Sequence, residues 1–501
     1  MTPARPAAAM RARRLLGAGS LASLPWIADF ATRFFRTVIL AHFLSPRELG
    51  FAVALNVLLA IAWLLSDLGI DQFLMSRPPG DGSEPLAAAH SLHLAKGIVI
   101  SAAIWAAAPA IAPLFGAAGH VTSFRWCAVI LLVHAFAHQG VKQAQRDFRY
   151  LPEVKTMLLS RGAGLAIVYP AVLLFHDHRA MIASLLVSSL VATLASHLFA
   201  QARYRLTLTN RRILREAVSY GLPLIANGLG IAVNSQLDRA LVSYWLGLGA
   251  LAAFAVILNL AVAPISVALG ILTTVGLPFL AQTRNTAEWR GDGYVAVLWL
   301  HGVIAAAYSV FVAAMLGALV PWVYGPIYQV TPPTQALIAL LVWVRLNRGA
   351  PTLQMLAAGD TGRLMAGNLV SGCGLVLAAL ALSFSPHLET ALAGILFGDT
   401  LSLAFLLYAA SRRTEGRFGA QARELCWSLL PSIAAAGAAG FAATGGLAPR
   451  LAMFAAATAV VAAHALLGFR RYFLHGGLLA AFAPAQAPAG APPSIRVAVD
   501  E

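Results

Sequence analysis

GFAVALN, residues 50–56, returns as AFAVILN at 253–259, with five of seven positions identical at an offset of 203. Just upstream, AHFL (41–44) aligns loosely with SYWL (243–246). Short identities arise by chance in Ala/Leu/Val-rich chains, so the echo carries weight only if the flanking segments repeat with it. Both heptapeptides open the second apolar segment of a pair, and six apolar segments separate them. An even number preserves direction, so the pattern predicts two parallel six-helix halves.

Composition sets the medium in which those halves fold. Of 501 residues, 59% are hydrophobic and 11% charged, with a mean hydropathy of +0.76. A soluble chain carries roughly 25% charged residues. Many apolar runs exceed the ~20 residues needed to cross a bilayer as helix. They are continuous rather than alternating, which excludes a β-barrel. The expected fold is an all-α polytopic membrane protein of about 14 transmembrane helices. They are read at about 17–44, 50–75, 88–115, 121–141, 156–175, 180–202, 217–246, 250–282, 293–323, 333–357, 363–384, 389–410, 425–444 and 449–469.

Charge orients these spans. With the N-terminus in the cytoplasm, connectors on that side hold 24 Lys and Arg against 4 outside, the latter being Arg47, Arg125, Arg179 and Arg450. That asymmetry fits the positive-inside rule and places both termini in the cytoplasm. It also accounts for the net charge of +15 without nucleic acid. The apolar stretch after the basic start runs on to residue 44, too long for a signal-peptide core. The expected division is a cytoplasmic segment 1–16, an N-lobe of helices 1–6 (17–202) and a basic linker (203–216). A C-lobe of helices 7–12 (217–410), a loop (411–424), helices 13–14 (425–471) and an Ala/Pro-rich tail (472–501) follow. The three cysteines are scattered, with neither metal-ligand spacing nor a disulfide framework.

Polar residues inside the spans are the candidate site. An Arg or Asp at a helix centre costs about 2.5–3.5 kcal/mol on insertion scales, so it faces protein or a wet cavity. In LPWIADFATRFFRTVILAHFL (24–44), Asp29, Arg33 and Arg36 step by four and three and share one face. Span 7 carries Asn227, Asn234 and Asp238 in one stripe, with Arg239 beside it; span 10 carries Arg345 and Arg348 three apart. We read a predominantly cationic cavity lined by spans 1, 7 and 10. Arg33, Arg36, Arg345, Arg348 and Asn234 are its candidate substrate contacts. Asp29, Asp238 and Arg239 are candidate cavity or gating ion pairs. Asp29–Arg33 is open to a purely structural reading, which would leave Arg36, Arg345 and Arg348 in need of partners. Lys96 and Arg161 are expected to snorkel toward the cytoplasmic mouth. His134 and His138 have i, i+4 spacing without a third ligand, so no metal is expected. Proton handling is one reading for them, an ordinary packed face the other. HDH at 176–178 reads as a short external connector. Pro25 and Pro223, early in spans 1 and 7, predict bends. No Walker A motif and no nucleophile elbow occur.

Three stretches carry a family resemblance. LAHFLSPRELGFAVALNVLLAIAWLLSDLGI (40–70) resembles the helix 1–2 hairpin of Wzx-type oligosaccharide flippases. These form the polysaccharide transporter branch of the multidrug/oligosaccharidyl-lipid/polysaccharide exporter superfamily. KQAQRDFRYLPEVKTMLLSRGAG (142–164) resembles the helix 4–5 connector of their colanic-acid/exopolysaccharide subgroup, and NSQLDRALVSYWLGLGALAAFAV (234–256) their helix 7–8 hairpin. The resemblance covers roughly 15–410. It implies two six-helix lobes in a V, two further C-terminal helices, and alternating access in the bacterial inner membrane. It implies as substrate an undecaprenyl-diphosphate-linked oligosaccharide, flipped for O-antigen, capsule or exopolysaccharide synthesis. A polymerase and a chain-length regulator are expected partners, besides membrane lipid. No cofactor is expected beyond coupling to a proton or sodium gradient, and no enzymatic activity. A multidrug/cation antiporter of the related branch would favour a carboxylate- and aromatic-rich cavity. A membrane-embedded polymerase or ligase would need large external loops.

Overall fold

The computed structural model describes residues 27–65, 68–77, 83–146, 149–207, 210–283, 289–412, 418–440 and 447–475. The chain before 27 with Pro25, the tail from 476, Asp67, and the side chains of Asn227 and Asn234 lie outside the described set. Among the described residues the protein is all helix, with no strand.

The first half holds α1 (27–43), α2 (Pro46–Leu65), α3 (Ile70–Ser76), α4 (Glu84–Leu114), α5 (Val121–Ala135), α6 (Gly140–Arg146), α7 (Leu151–Phe175) and α8 (Arg179–Phe199). The second holds α9 (Arg211–Ala261), α10 (Ala263–Thr283), α11 (Trp289–Tyr324), α12 (Pro332–Asn347), α13 (Gly349–Ala358), α14 (Thr361–Phe384) and α15 (Leu388–Ser411). Two C-terminal helices follow, α16 (Phe418–Gly440) and α17 (Leu447–Gly468).

The duplication is visible in the packing. α4 packs on α5 as α11 packs on α12, and α7 on α8 as α14 on α15. α5 meets α8 as α12 meets α15, and α3 meets α6 as α10 meets α13. The corresponding spans are broken in both halves: α2/α3 and α5/α6 in the first, α9/α10 at Val262 and α12/α13 at Arg348 in the second. The halves join along α2 and α9.

Ten described helical stretches are long and apolar enough to cross a bilayer, against fourteen read from sequence. The shortfall has local causes. α1 is described over 27–43 only, α12/α13 is split, spans 7 and 8 merge in Ser235–Thr274, and α16, which holds Arg423 and Glu424, is not apolar enough to count. The protein is a multi-pass membrane protein. A bend expected at Pro223 is not where α9 departs from helix. That departure is at Gly247, whose φ of 83° and ψ of 176° only glycine adopts without strain.

Connectors assigned to one side by charge touch one another. On the side read as cytoplasmic the Arg77 guanidinium donates to Glu216, which also takes Arg212. These hydrogen bonds hold the Glu216 carboxyl below the usual carboxylate range. Lys142 meets Asp71 at 3.2 Å and also Glu153. Burial opposes its charge, yet the two carboxylates outweigh it and push the ammonium above its ordinary value.

α16 is pinned to α17 by polar side chains. His464 Nε2 lies 3.0 Å from Glu424, and the Tyr472 hydroxyl donates to the same carboxylate at 2.8 Å. Trp299 of α11 donates to the His464 carbonyl at 3.1 Å, so the pair is fastened to the second half.

Close approach of α14 and α15 needs glycine. A Cβ at Gly374 would sit 2.5 Å from the Gly394 carbonyl oxygen and from Gly398 Cα. Gly374→Leu is expected to force the helices apart and cost about 1–3 kcal/mol by overpacking. Thermal unfolding of the detergent-purified protein would read this as a lowered midpoint.

Candidate functional site

Two charge clusters face inward, one in each half. The first is built on α1, whose 29/33/36 spacing aligns one stripe. Asp29 accepts from Arg33 at 2.8 Å, an i, i+4 pair within the helix. Its other oxygen accepts from Arg161 of α7, also at 2.8 Å. Arg161 therefore braces α7 against α1, where the sequence reading has it snorkelling to the membrane edge. Arg36 completes the group. It is 5% exposed, and its Nε is buried with no hydrogen-bond partner. Two guanidinium groups thus pair with the Asp29 carboxylate, and a third, Arg36, stands beside them without a contact to it.

The second cluster is organised by a residue that the sequence reading passed over. Asp399 of α15 is 3% exposed. It accepts from Arg345 Nε at 2.8 Å, from Arg348, and from the Ser371 hydroxyl of α14 at 2.6 Å. Arg348 also reaches Asn368 at 3.4 Å. The break after α12 permits this. A Cβ at Gly349 would meet the Leu269 side chain at 2.5 Å and His301 at 2.8 Å, so glycine lets the chain pass close to these side chains. Arg345 and Arg348 then point at one carboxylate from opposite sides of the break. Having found no protein partner for them, the sequence reading assigned both to a ligand. The partner is Asp399, and the signal was available: a lone acid in an apolar span, LFGDTLS (396–402).

Asp238 on α9 is 1% exposed. It accepts from the Arg239 backbone N–H at 2.7 Å and from its guanidinium at 3.1 Å. Arg239 also donates to the Ser235 carbonyl. Asp238 is close enough for its charge to act on Arg345, which joins α9 to the second cluster. Asn234 shares this helix, but its side chain lies outside the described set.

His134 and His138 make their hydrogen bonds outside both clusters. His138 accepts the Gly140 backbone N–H at Nδ1 (2.9 Å), so its Nε2 carries the proton donated to the Ala202 carbonyl at 3.0 Å. His90 contacts it at 3.4 Å and reaches the Arg205 carbonyl at 3.0 Å. The backbone carbonyl of His134 lies 3.2 Å from His93 Nε2. These contacts fasten the connector after α8. No group of three or more His, Cys, Asp or Glu among the described residues is arranged to hold a metal.

Cations in excess of carboxylates, one of them the buried Arg36, suit an anion. Arg presents its donors in a planar fork that matches phosphate oxygens bidentately. The fold around the clusters is that of a known transporter class. It superposes on a lipid II flippase MurJ in an inward closed conformation with TM-score 0.64 at 12% identity, covering 89% of this chain and 99% of that one. It also superposes on an inward-facing multidrug resistance transporter of the MATE family, in the MOP superfamily. There the TM-score is 0.56 at 14% identity, covering 83% and 94%. The chain itself belongs to the family described as polysaccharide biosynthesis protein, which matches residues 39–332. All three stretches that carry the resemblance fall inside that match. Lipopolysaccharide biosynthesis protein WzxC of Escherichia coli (strain K12) is 22% identical over 334 residues, 64% of this chain and 65% of that protein. The alignment spans just under two thirds of the relative's length.

Proposed function

We propose that the protein is a flippase for a polyprenyl-diphosphate-linked oligosaccharide, moving it from the cytoplasmic to the outer leaflet of the bacterial inner membrane. The observation that carries this reading is the α1/α7 cluster, with three guanidiniums to one carboxylate and Arg36 buried with an unpartnered Nε. The diphosphate supplies the missing negative charge, and the polyprenyl tail stays in lipid. Arg36 and Arg33 are the headgroup contacts. Arg345 and Arg348, sharing Asp399, add one net positive charge on the facing half and meet the headgroup as the halves rock. Both termini lie in the cytoplasm, and the flipped units serve a polymerase and chain-length regulator outside. The cation-antiporter reading is disfavoured, because neither cluster has a carboxylate free of guanidinium.

The test is translocation of a defined polyprenyl-diphosphate oligosaccharide in proteoliposomes, scored by access of an external glycosidase to the sugar. Protein-dependent translocation is expected, accelerated by an imposed proton or sodium gradient. Equal rates with and without protein would overturn the reading.

A further inference from the structure

Three segments on the side read as outer meet at His178, the last residue of the HDH connector. Its Nδ1 lies 2.7 Å from Glu48 Oε2, and its backbone N–H donates to the same oxygen at 3.0 Å. Its Nε2 lies 2.8 Å from the Ser123 hydroxyl. The residue is 5% exposed. Phe51 covers the ring at 4.0 Å between centroids, and His120 stands edge-on at 5.6 Å. An imidazole held in this way takes either protonation state without moving heavy atoms. When neutral it donates from Nδ1 to the carboxylate and accepts the Ser123 O–H at Nε2. When charged it donates from both nitrogens, and the Ser123 hydroxyl has only to turn.

The segments tied together by His178 also carry the outer contact between the halves. Gly50, two residues after Glu48, packs so tightly on α9 that a Cβ there would sit 1.8 Å from the Leu248 carbonyl oxygen. Phe115, at the head of the segment leading to Ser123, accepts the Ser243 hydroxyl at 3.1 Å. We propose that His178 is a proton-binding site that sets the outer seam. The imidazolium–Glu48 ion pair holds the 48–51 and 115–123 segments against 243–248 more tightly than the neutral hydrogen bond does, and loss of the proton loosens them. The ligand is a proton from the solution bathing that face.

The ionisable groups around His178 agree with this. α2 contributes Glu48, the α4–α5 segment contributes His120, and its own connector contributes Asp177 and Arg179. The last two pair with each other at 2.8 Å, leaving Glu48 as the carboxylate that His178 engages. The inference rests on the transport reading for its purpose only; the seam itself can be measured without substrate.

The experiment places spin labels at Arg47→Cys and Gly249→Cys, both exposed and flanking the seam. The background has Cys127, Cys373 and Cys426 replaced by alanine, and the protein is reconstituted in lipid nanodiscs. Distance distributions are compared at about pH 5 and pH 8, the interval over which histidine titrates. A short, narrow distance is expected at low pH. The closed-to-open ratio is expected to fall about tenfold on raising the pH. His178→Gln keeps a hydrogen-bonding side chain and cannot titrate, so its distribution should not depend on pH. Glu48→Gln should blunt the response. A response retained in His178→Gln, or absent from the wild type, overturns the proposal. Loss of glycolipid translocation alone would sink the flippase reading and leave this one standing.

Discussion

Replacing Asp399 with alanine is expected to destabilise the folded protein by about 3–5 kcal/mol, the cost of breaking a buried ion pair by removing one partner. Asp399 neutralises two guanidiniums at once and holds the Ser371 hydroxyl, at a place where α14 and α15 touch through glycine. Without it Arg345 and Arg348 face each other, and no water can replace the lost charge cheaply. Asp399→Asn keeps the shape and hydrogen bonding but not the charge, so it should lie between wild type and alanine. Adding Arg345→Met and Arg348→Met to Asp399→Ala removes the stranded cations and should recover much of the loss. Unfolding midpoints of the four purified proteins check this order. A triple variant as unstable as Asp399→Ala would mean that the carboxylate acts through packing, not charge.

What could be read in the sequence was what one helix determines by itself. Spacing told that Asp29, Arg33 and Arg36 share a face, and that Arg345 and Arg348 do. It could not tell which other helix that face meets. The partners come from α7 and α15, separated by more than a hundred and by about fifty residues respectively. The heptapeptide echo at 50 and 253 did reach across the chain, because duplication leaves matching residues as well as matching contacts. Breaks were harder to see. Hydropathy runs smoothly through Gly247, while the backbone leaves the helix there because glycine allows a φ of 83°. Asp399 was legible in principle as an acid in lipid-length sequence; attention to unpaired bases alone hid it. His178 was not. Its importance depends on the first turns of α2 and α5 converging on the short connector before α8, and each is unremarkable alone.

Arg36 gives the sharpest separation of folding from transport. Because its guanidinium is buried and makes no ion pair among the described residues, the nearby Asp29 carboxylate being taken by Arg33 and Arg161, Arg36→Met should leave the unfolding midpoint unchanged or raise it. Replacing a poorly compensated buried charge with an apolar side chain of similar length is commonly neutral or stabilising, by about 1–4 kcal/mol. The same substitution should cut glycolipid translocation by about tenfold to a hundredfold, since a charge-assisted hydrogen bond to an anion contributes roughly 1.5–3 kcal/mol. Arg161→Met should do the opposite: it removes a cross-helix brace on Asp29, so stability falls, while transport per folded molecule changes less. A cation that merely holds the fold together would lose stability and transport in parallel. If Arg36→Met destabilises the protein as much as Arg161→Met does and leaves translocation intact, the headgroup is held elsewhere, and the first cluster is a structural joint between α1 and α7.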